Sequence, residues 1–314
     1  MSKKSPNPPE HELLKPFLSQ EKVISLARKA PDARIGKLLS VMTGITEEKY
    51  PQSSAPYFWD EARFELGKSV DYLALPQAIR TDLLTLLSRH SLLTSYYIEK
   101  GAISFCGKMA MMAESMDEKA LYFAMGNEEV SHLLEFEKFI AFDPEQPHFI
   151  TPFIRTLSDL IQDNDRITSF FVAQVLLEGM ALSHYETLHE TCLDEGLKKA
   201  IAQVLRDESA HHGSGLVLMN QETLEAEQVV SLTAVATTVS NMLVHQGRML
   251  METLRQTAEK HSVVLGPELL ERIARDIDLH SQMKKRVHRL RESLSKLKDK
   301  ALVSQLLQIP ALQA

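Results

Sequence analysis

Two carboxylate–histidine sets recur in this chain at one fixed interval. Glu99 precedes Glu129 by 30 residues and Glu178 precedes Glu208 by 30, and each second Glu has a His three positions on, His132 and His211. The set repeats at an offset of 79, which also relates Ala102, Ser104 and Lys119 to Ala181, Ser183 and Lys198. An internal repeat of this kind restricts a fold more than composition does. The midpoint of the first interval is residue 114, in the turn-like ESMD, and that of the second is 193, in LDEG. If the flanking segments are helices, both carboxylates of a pair stand equally far from their bend, roughly 20 Å at 1.5 Å per residue. Antiparallel packing then brings four Glu to one level, with each His on the same helix face as its own Glu.

The flanking segments do read as helices. Residues 80–113, 118–140, 166–192 and 197–220 carry apolar side chains at helical spacing with few breakers. Asp117 and Gly196 are read as the cap and stop residues of the two short turns. Between the second and third segments, FDPEQPHFITP holds three prolines and is expected to be a crossover. Hairpin, long connection, hairpin is one way to build an all-α four-helix bundle, here over 80–220. Residues 1–79 are punctuated by Pro6, Pro8, Pro9, Pro16, Pro31, Pro51 and Pro56 and read as an arm with short helices. In 221–314, a fifth helix is expected over 222–260, and a last one from Pro267 to about Leu307, both packed on the bundle. No strand-like alternation of any length is found.

The repeat separates meaningful Glu-x-x-His pairs from chance ones. Four exist, where Glu and His frequencies alone supply about one. Pro144 and Pro147 place Glu145–His148 in the crossover, off any helix, and Glu186–His189 has Gly107 at its repeat position. The retained set sits on apolar faces: Phe171, Val175, Leu182 and Tyr185 accompany Glu178, and Tyr122, Met125 and Phe136 accompany Glu129. Ionised carboxylates there are costly unless paired or bound to metal. Four Glu balance two divalent cations, and two neutral His complete a mixed O/N ligand set. His212 is a rival i+4 ligand, but the repeat favours His211. Tyr122 and Tyr185 each lie seven residues from a candidate ligand Glu, as radical or substrate-binding candidates or as ordinary core aromatics.

The segments YYIEKGA, EEVSHLL, LLEGMAL and RDESAHH resemble the four ligand helices of the ferritin-like di-iron carboxylate superfamily. That group includes aminoarene N-oxygenases, demethoxyubiquinone hydroxylases, acyl-carrier-protein desaturases, multicomponent monooxygenases and the ribonucleotide reductase small subunit. The resemblance spans roughly 80–220. It implies Glu99, Glu129, His132, Glu178, Glu208 and His211 as metal ligands, with Glu129 and Glu208 as bridges. It also implies Asp207 as an acceptor for a ligand His. Val204 stands where the aminoarene N-oxygenases carry a further His. The implied cofactors are two iron ions, or Mn/Fe, with O2 as co-substrate. The implied function is that of an oxygenase or oxidase using an external electron donor. Its substrate would be a small amine, aromatic or fatty-acyl compound; a ferroxidase, a radical-generating subunit and a metal-free helical interaction module are the alternatives.

Composition bounds the partners. A formal charge of -7 argues against a broad nucleic-acid-binding surface. Lys284, Lys285, Arg286, Arg289, Arg291, Lys296, Lys298 and Lys300 make the last segment basic: a solvated face, or a dock for an acyl carrier protein. A homodimer is a further candidate assembly. The charge-free stretch from Gln228 to Gly247 reaches spanning length but holds Ser231, Thr233, Thr237, Thr238, Ser240, Asn241 and His245, so a buried helix rather than a membrane span is expected. Two cysteines in helical stretches, Cys106 and Cys192, and no apolar leader point to a cytoplasmic protein.

Overall fold

The computed structural model of the protein describes residues 33–44, 56–141, 144, 151–162 and 165–313. Among them no strand forms, and the one isolated β-bridge pairs Trp59 with Cys192. The helices are α1 (Ala33–Thr43), α2 (Val70–Leu73), α3 (Gln77–Met112), α4 (Met116–Glu137), α5 (Pro152–Gln162) and α6 (Arg166–Thr191). They continue as α7 (Glu195–Met219), α8 (Ala226–Lys260), α9 (Pro267–Asp276), α10 (Leu279–Ser295) and α11 (Lys300–Leu306). Most of the proline-rich arm, and the Glu145–His148 pair, lie outside the described residues.

Helices α3 and α4 pack as one hairpin, α6 and α7 as another, and α4 packs on α7. Both bends sit where the repeat midpoints place them, but their caps differ from expectation. Ser115, not Asp117, caps α4, accepting from the Glu118 amide at 3.1 Å. Asp194 caps α7, accepting from the Leu197 amide at 2.8 Å, which leaves Gly196 inside the first turn. In each case a short polar side chain on extended backbone reaches an otherwise orphaned N–H.

The crossover leads into a helix that the sequence does not announce: α5 begins at its last residue, Pro152, and packs along α3. Pro152 opens this helix, where its missing N–H costs nothing. The last segment is not the one helix expected. Asp278, in the left-handed region at φ 49°, restarts the chain as α10, and Asp299 restarts it as α11 by accepting from the Ala301 and Leu302 amides.

Helix α8 buries one stripe, Leu232, Val235, Ala236, Val239 and Leu243, at helical spacing. Its polar residues are accommodated locally: Thr233, Thr237, Thr238 and Ser240 donate to carbonyls four residues back. Only α6, among the described residues, is long and apolar enough to cross a membrane. It is instead packed between α7, α8 and α10, with Phe170, Phe171, Val172, Val175 and Leu176 fully buried. Within it, Phe171–Leu177 widens into a π-helical turn immediately before Glu178. Gln174 in that turn presses against Gly215 of α7, where a Cβ would come within 3.2 Å of the Gln174 carbonyl carbon. Such turns often mark functional positions.

Candidate metal centre

The six repeat residues meet at one level between the hairpins. Glu99 comes from mid-α3, Glu129 and His132 from α4, Glu178 from α6 just past the π turn, and Glu208 and His211 from α7. All six are buried. Ligand-capable atoms of Glu99, Glu129, His132 and Glu208 lie within 4.8 Å of one another, and so do those of Glu129, Glu178 and His211. The first group takes Glu208 from the opposite hairpin, and the second takes Glu129. Glu129 belongs to both groups and joins them, while Glu208, the other carboxylate expected to bridge, falls in the first alone.

Each histidine turns one nitrogen inward and the other toward an outlying carboxylate. His132 Nδ1 lies 3.2 Å from Glu99 Oε2 and 3.4 Å from Glu129 Oε2, while its Nε2 is 3.0 Å from Asp207 Oδ2. His211 Nδ1 lies 2.9 Å from Glu129 Oε1, and its Nε2 is 2.8 Å from Glu128 Oε2. An outlying acceptor holds the imidazole as the Nε2–H tautomer and leaves the inner nitrogen free to coordinate. Asp207 has the expected position. Glu128 was not anticipated, although the offset of 79 that relates Glu129 to Glu208 also relates Glu128 to Asp207.

The electrostatics call for cations. Burial pushes Glu129 up to about 8, against the nearby charge of His132 and with the charge of Glu99. Burial and the charge of Glu129 raise Glu178 well above the carboxylate range. Burial opposes ionisation of Glu99 too, but His132, Glu129 and Tyr185 hold it below its ordinary value. Burial works against protonation of His132, yet Glu129 and Glu99 draw it up to about 11. Protons are thus stand-ins for missing positive charge.

Buried polar atoms test the fit directly. Both carboxylate oxygens of Glu129, Oε2 of Glu208 and Nδ1 of His211 have no hydrogen-bond partner, and the 2.9 Å approach of His211 to Glu129 lacks hydrogen-bond geometry. Orphaned oxygens and a ring nitrogen facing one another are costly alone and suited to a shared ion. The cluster can hold metal.

The remaining candidates separate clearly. Tyr185 is fully buried and its hydroxyl donates to Glu99 Oε1 across the bundle. Tyr122 instead donates to Gln174 Oε1 at 3.1 Å. His212 turns away from the cluster, with Nδ1 2.8 Å from the Gln174 carbonyl oxygen, so His211 is the histidine brought in. Glu186 pairs with Arg289 at 2.8 Å on the surface. No family model matches the chain, and no curated protein or solved structure matches it either.

Proposed function

We propose that the protein is a ferritin-like, O2-activating non-haem di-iron oxygenase or oxidase acting on a small organic substrate. The observation that supports this reading is that Glu129 is shared by two buried carboxylate–histidine groups, each drawing residues from both hairpins. One Glu from each of two helices, plus Glu-x-x-His from each of the other two, is the ligand pattern of di-iron and di-manganese carboxylate bundles. A storage function is less well supported, because storage subunits are shorter and carry a less symmetric ligand set.

Two reduced irons, when bound, supply electrons for reducing dioxygen, and an external donor restores them; the pairing is Fe/Fe or Mn/Fe. The chain's own residues do the rest. Glu99, Glu129, His132, Glu178, Glu208 and His211 hold the ions, and their burial keeps bulk water out. Asp207 and Glu128 orient the two imidazoles. Tyr185 holds a proton on Glu99 Oε1 and so fixes which oxygen is turned inward. Six protein ligands shared by two ions would leave room for O2 and water. Small amines, aromatics and fatty-acyl compounds are the substrate classes, with hydroxylation, N-oxygenation, desaturation or oxidative cleavage as the reaction.

Rapid mixing of Fe(II)-loaded protein with O2 tests the reading. An oxygenase gives a transient absorbing species whose decay accelerates with a substrate of the right class. Accumulation of many Fe(III) ions per chain would identify iron storage instead.

A further inference from the structure

A second buried polar group lies beside the metal centre and takes no part in it. The segment after Trp59 is fastened to the end of α6: the Trp59 indole N–H donates to the Leu188 carbonyl at 2.8 Å, and the Leu193 amide donates to the Phe58 carbonyl at 2.9 Å. This brings Arg63 toward α6, with its guanidinium 5.4 Å above the Phe64 ring. The Glu186–Arg289 pair fastens α10 to the same stretch of α6, and Arg286 lies one turn before Arg289. His184 stands between these elements, its ring 5.4 Å from that of Tyr185, the residue bonded to Glu99.

Arg63 and His184 each keep a polar atom unsatisfied. Arg63 Nε and His184 Nε2 are shielded from solvent and neither has a hydrogen-bond partner. Among the described residues no carboxylate pairs with either of them. Burial, then the charge of Arg286, brings Arg63 down to about 10. Burial, then Arg63 and Arg286, brings His184 down to about 3, so the imidazole is neutral at pH 7. A shielded guanidinium N–H and an unsatisfied ring nitrogen are costly unless a ligand completes them.

We infer that Arg63 and His184, with the added charge of Arg286, form an anion site that takes the carboxylate of an organic-acid substrate. A carboxylate offers two oxygens in one plane, one for Arg63 Nε–H and one for His184 in its Nε2–H tautomer. Tyr185 touches His184 with its ring and Glu99 with its hydroxyl, so an acid anchored here would lie one aromatic residue from the metal cluster. Only the word substrate rests on the oxygenase reading; the anion site stands on its own residues.

Calorimetric titration of the full-length, metal-free protein with octanoate and benzoate, and with octanamide and benzamide, tests the site. At least one acid should bind, and its amide should bind at least about tenfold more weakly. Arg63→Gln and His184→Gln should each weaken acid binding by about tenfold or more, and Arg63→Lys by less than Arg63→Gln. Equal affinity for acid and amide, no binding of either acid, or an acid affinity unmoved by Arg63→Gln would overturn the inference. Iron content of the same variants is read separately. Arg63-dependent acid binding by a protein that takes up no iron would uphold the anion site and sink the oxygenase reading.

Discussion

Glu128 Oε2 sits 2.8 Å from His211 Nε2, and Asp207, its equivalent 79 positions on, sits 3.0 Å from His132 Nε2. Each hairpin thus orients the histidine of the other. This reciprocity ties the metal cluster to the docking of the hairpins. It predicts that Glu128→Gln and Asp207→Asn each lower metal affinity by about 10- to 100-fold without lowering the number of sites. Competition titration with Mn(II) or Fe(II) checks this. Wild-type affinity in both variants would show that the outlying carboxylates do not orient the imidazoles.

The two tyrosines should behave differently. Tyr185→Phe removes a buried donor to Glu99 and should cost about 1.5–3 kcal/mol of metal-free stability, because the partner is a carboxylate. Tyr122→Phe removes a bond to neutral Gln174 and should cost about 0.5–1.5 kcal/mol, with metal affinity unchanged. Denaturant unfolding with and without metal compares them. A larger effect of Tyr122→Phe on metal affinity would reverse the assignment.

Protons and metal should compete for the cluster. Glu129 titrates near 8 and Glu178 is also raised, so the folded metal-free protein keeps protons that the unfolded chain has released. The stability they contribute is complete below the ordinary carboxylate range and is lost as pH rises through the folded values. His132, raised to about 11, has the same sign above the ordinary histidine range. The lowered Glu99 acts oppositely, but only at pH values below the ordinary carboxylate range. The melting temperature of the metal-free protein should therefore fall by several degrees between pH 6.5 and pH 8, above the range where the lowered His184 acts oppositely, and metal loading should flatten that slope. A metal-free melting temperature constant over this range contradicts the description.

Packing at the π turn makes a further prediction. Gly215→Ala places a methyl against the side chain and backbone of Gln174, whose amide donates to Ser214 Oγ at 2.7 Å and to the His211 carbonyl at 3.2 Å. The substitution should destabilise the protein by about 1–3 kcal/mol, as overpacking does. Gly213→Ala, which has open space around it, should be neutral or slightly stabilising. A denaturant melt of both variants decides it, and equal stability would mean the π turn yields freely.

Much of the cluster was legible in the residues because period and spacing alone carry it. A fixed offset places Glu99, Glu129, Glu178 and Glu208 level, and helical period puts each His beside its Glu. The same offset points to Glu128, but an acidic residue next to a candidate ligand Glu gives no sign of which way it faces. The caps were harder to read, since Ser115 and Asp117 are both good N-cap residues and only backbone geometry chooses between them. The breaks at Asp278 and Asp299 had the same character. No sequence period announces the π turn, because it arises from how Gln174 fits against Gly215. The Arg63–His184 group joins positions far apart in the chain that no repeat relates.

Metal content measured after anaerobic Fe(II) loading bears most directly on the central claim. Wild-type protein should hold two irons per chain, and Glu99→Ala and Glu178→Ala should hold well under one, with helical circular dichroism retained. Substoichiometric iron in the wild type, or unchanged iron in both variants, would contradict the assignment of these carboxylates to a two-metal centre.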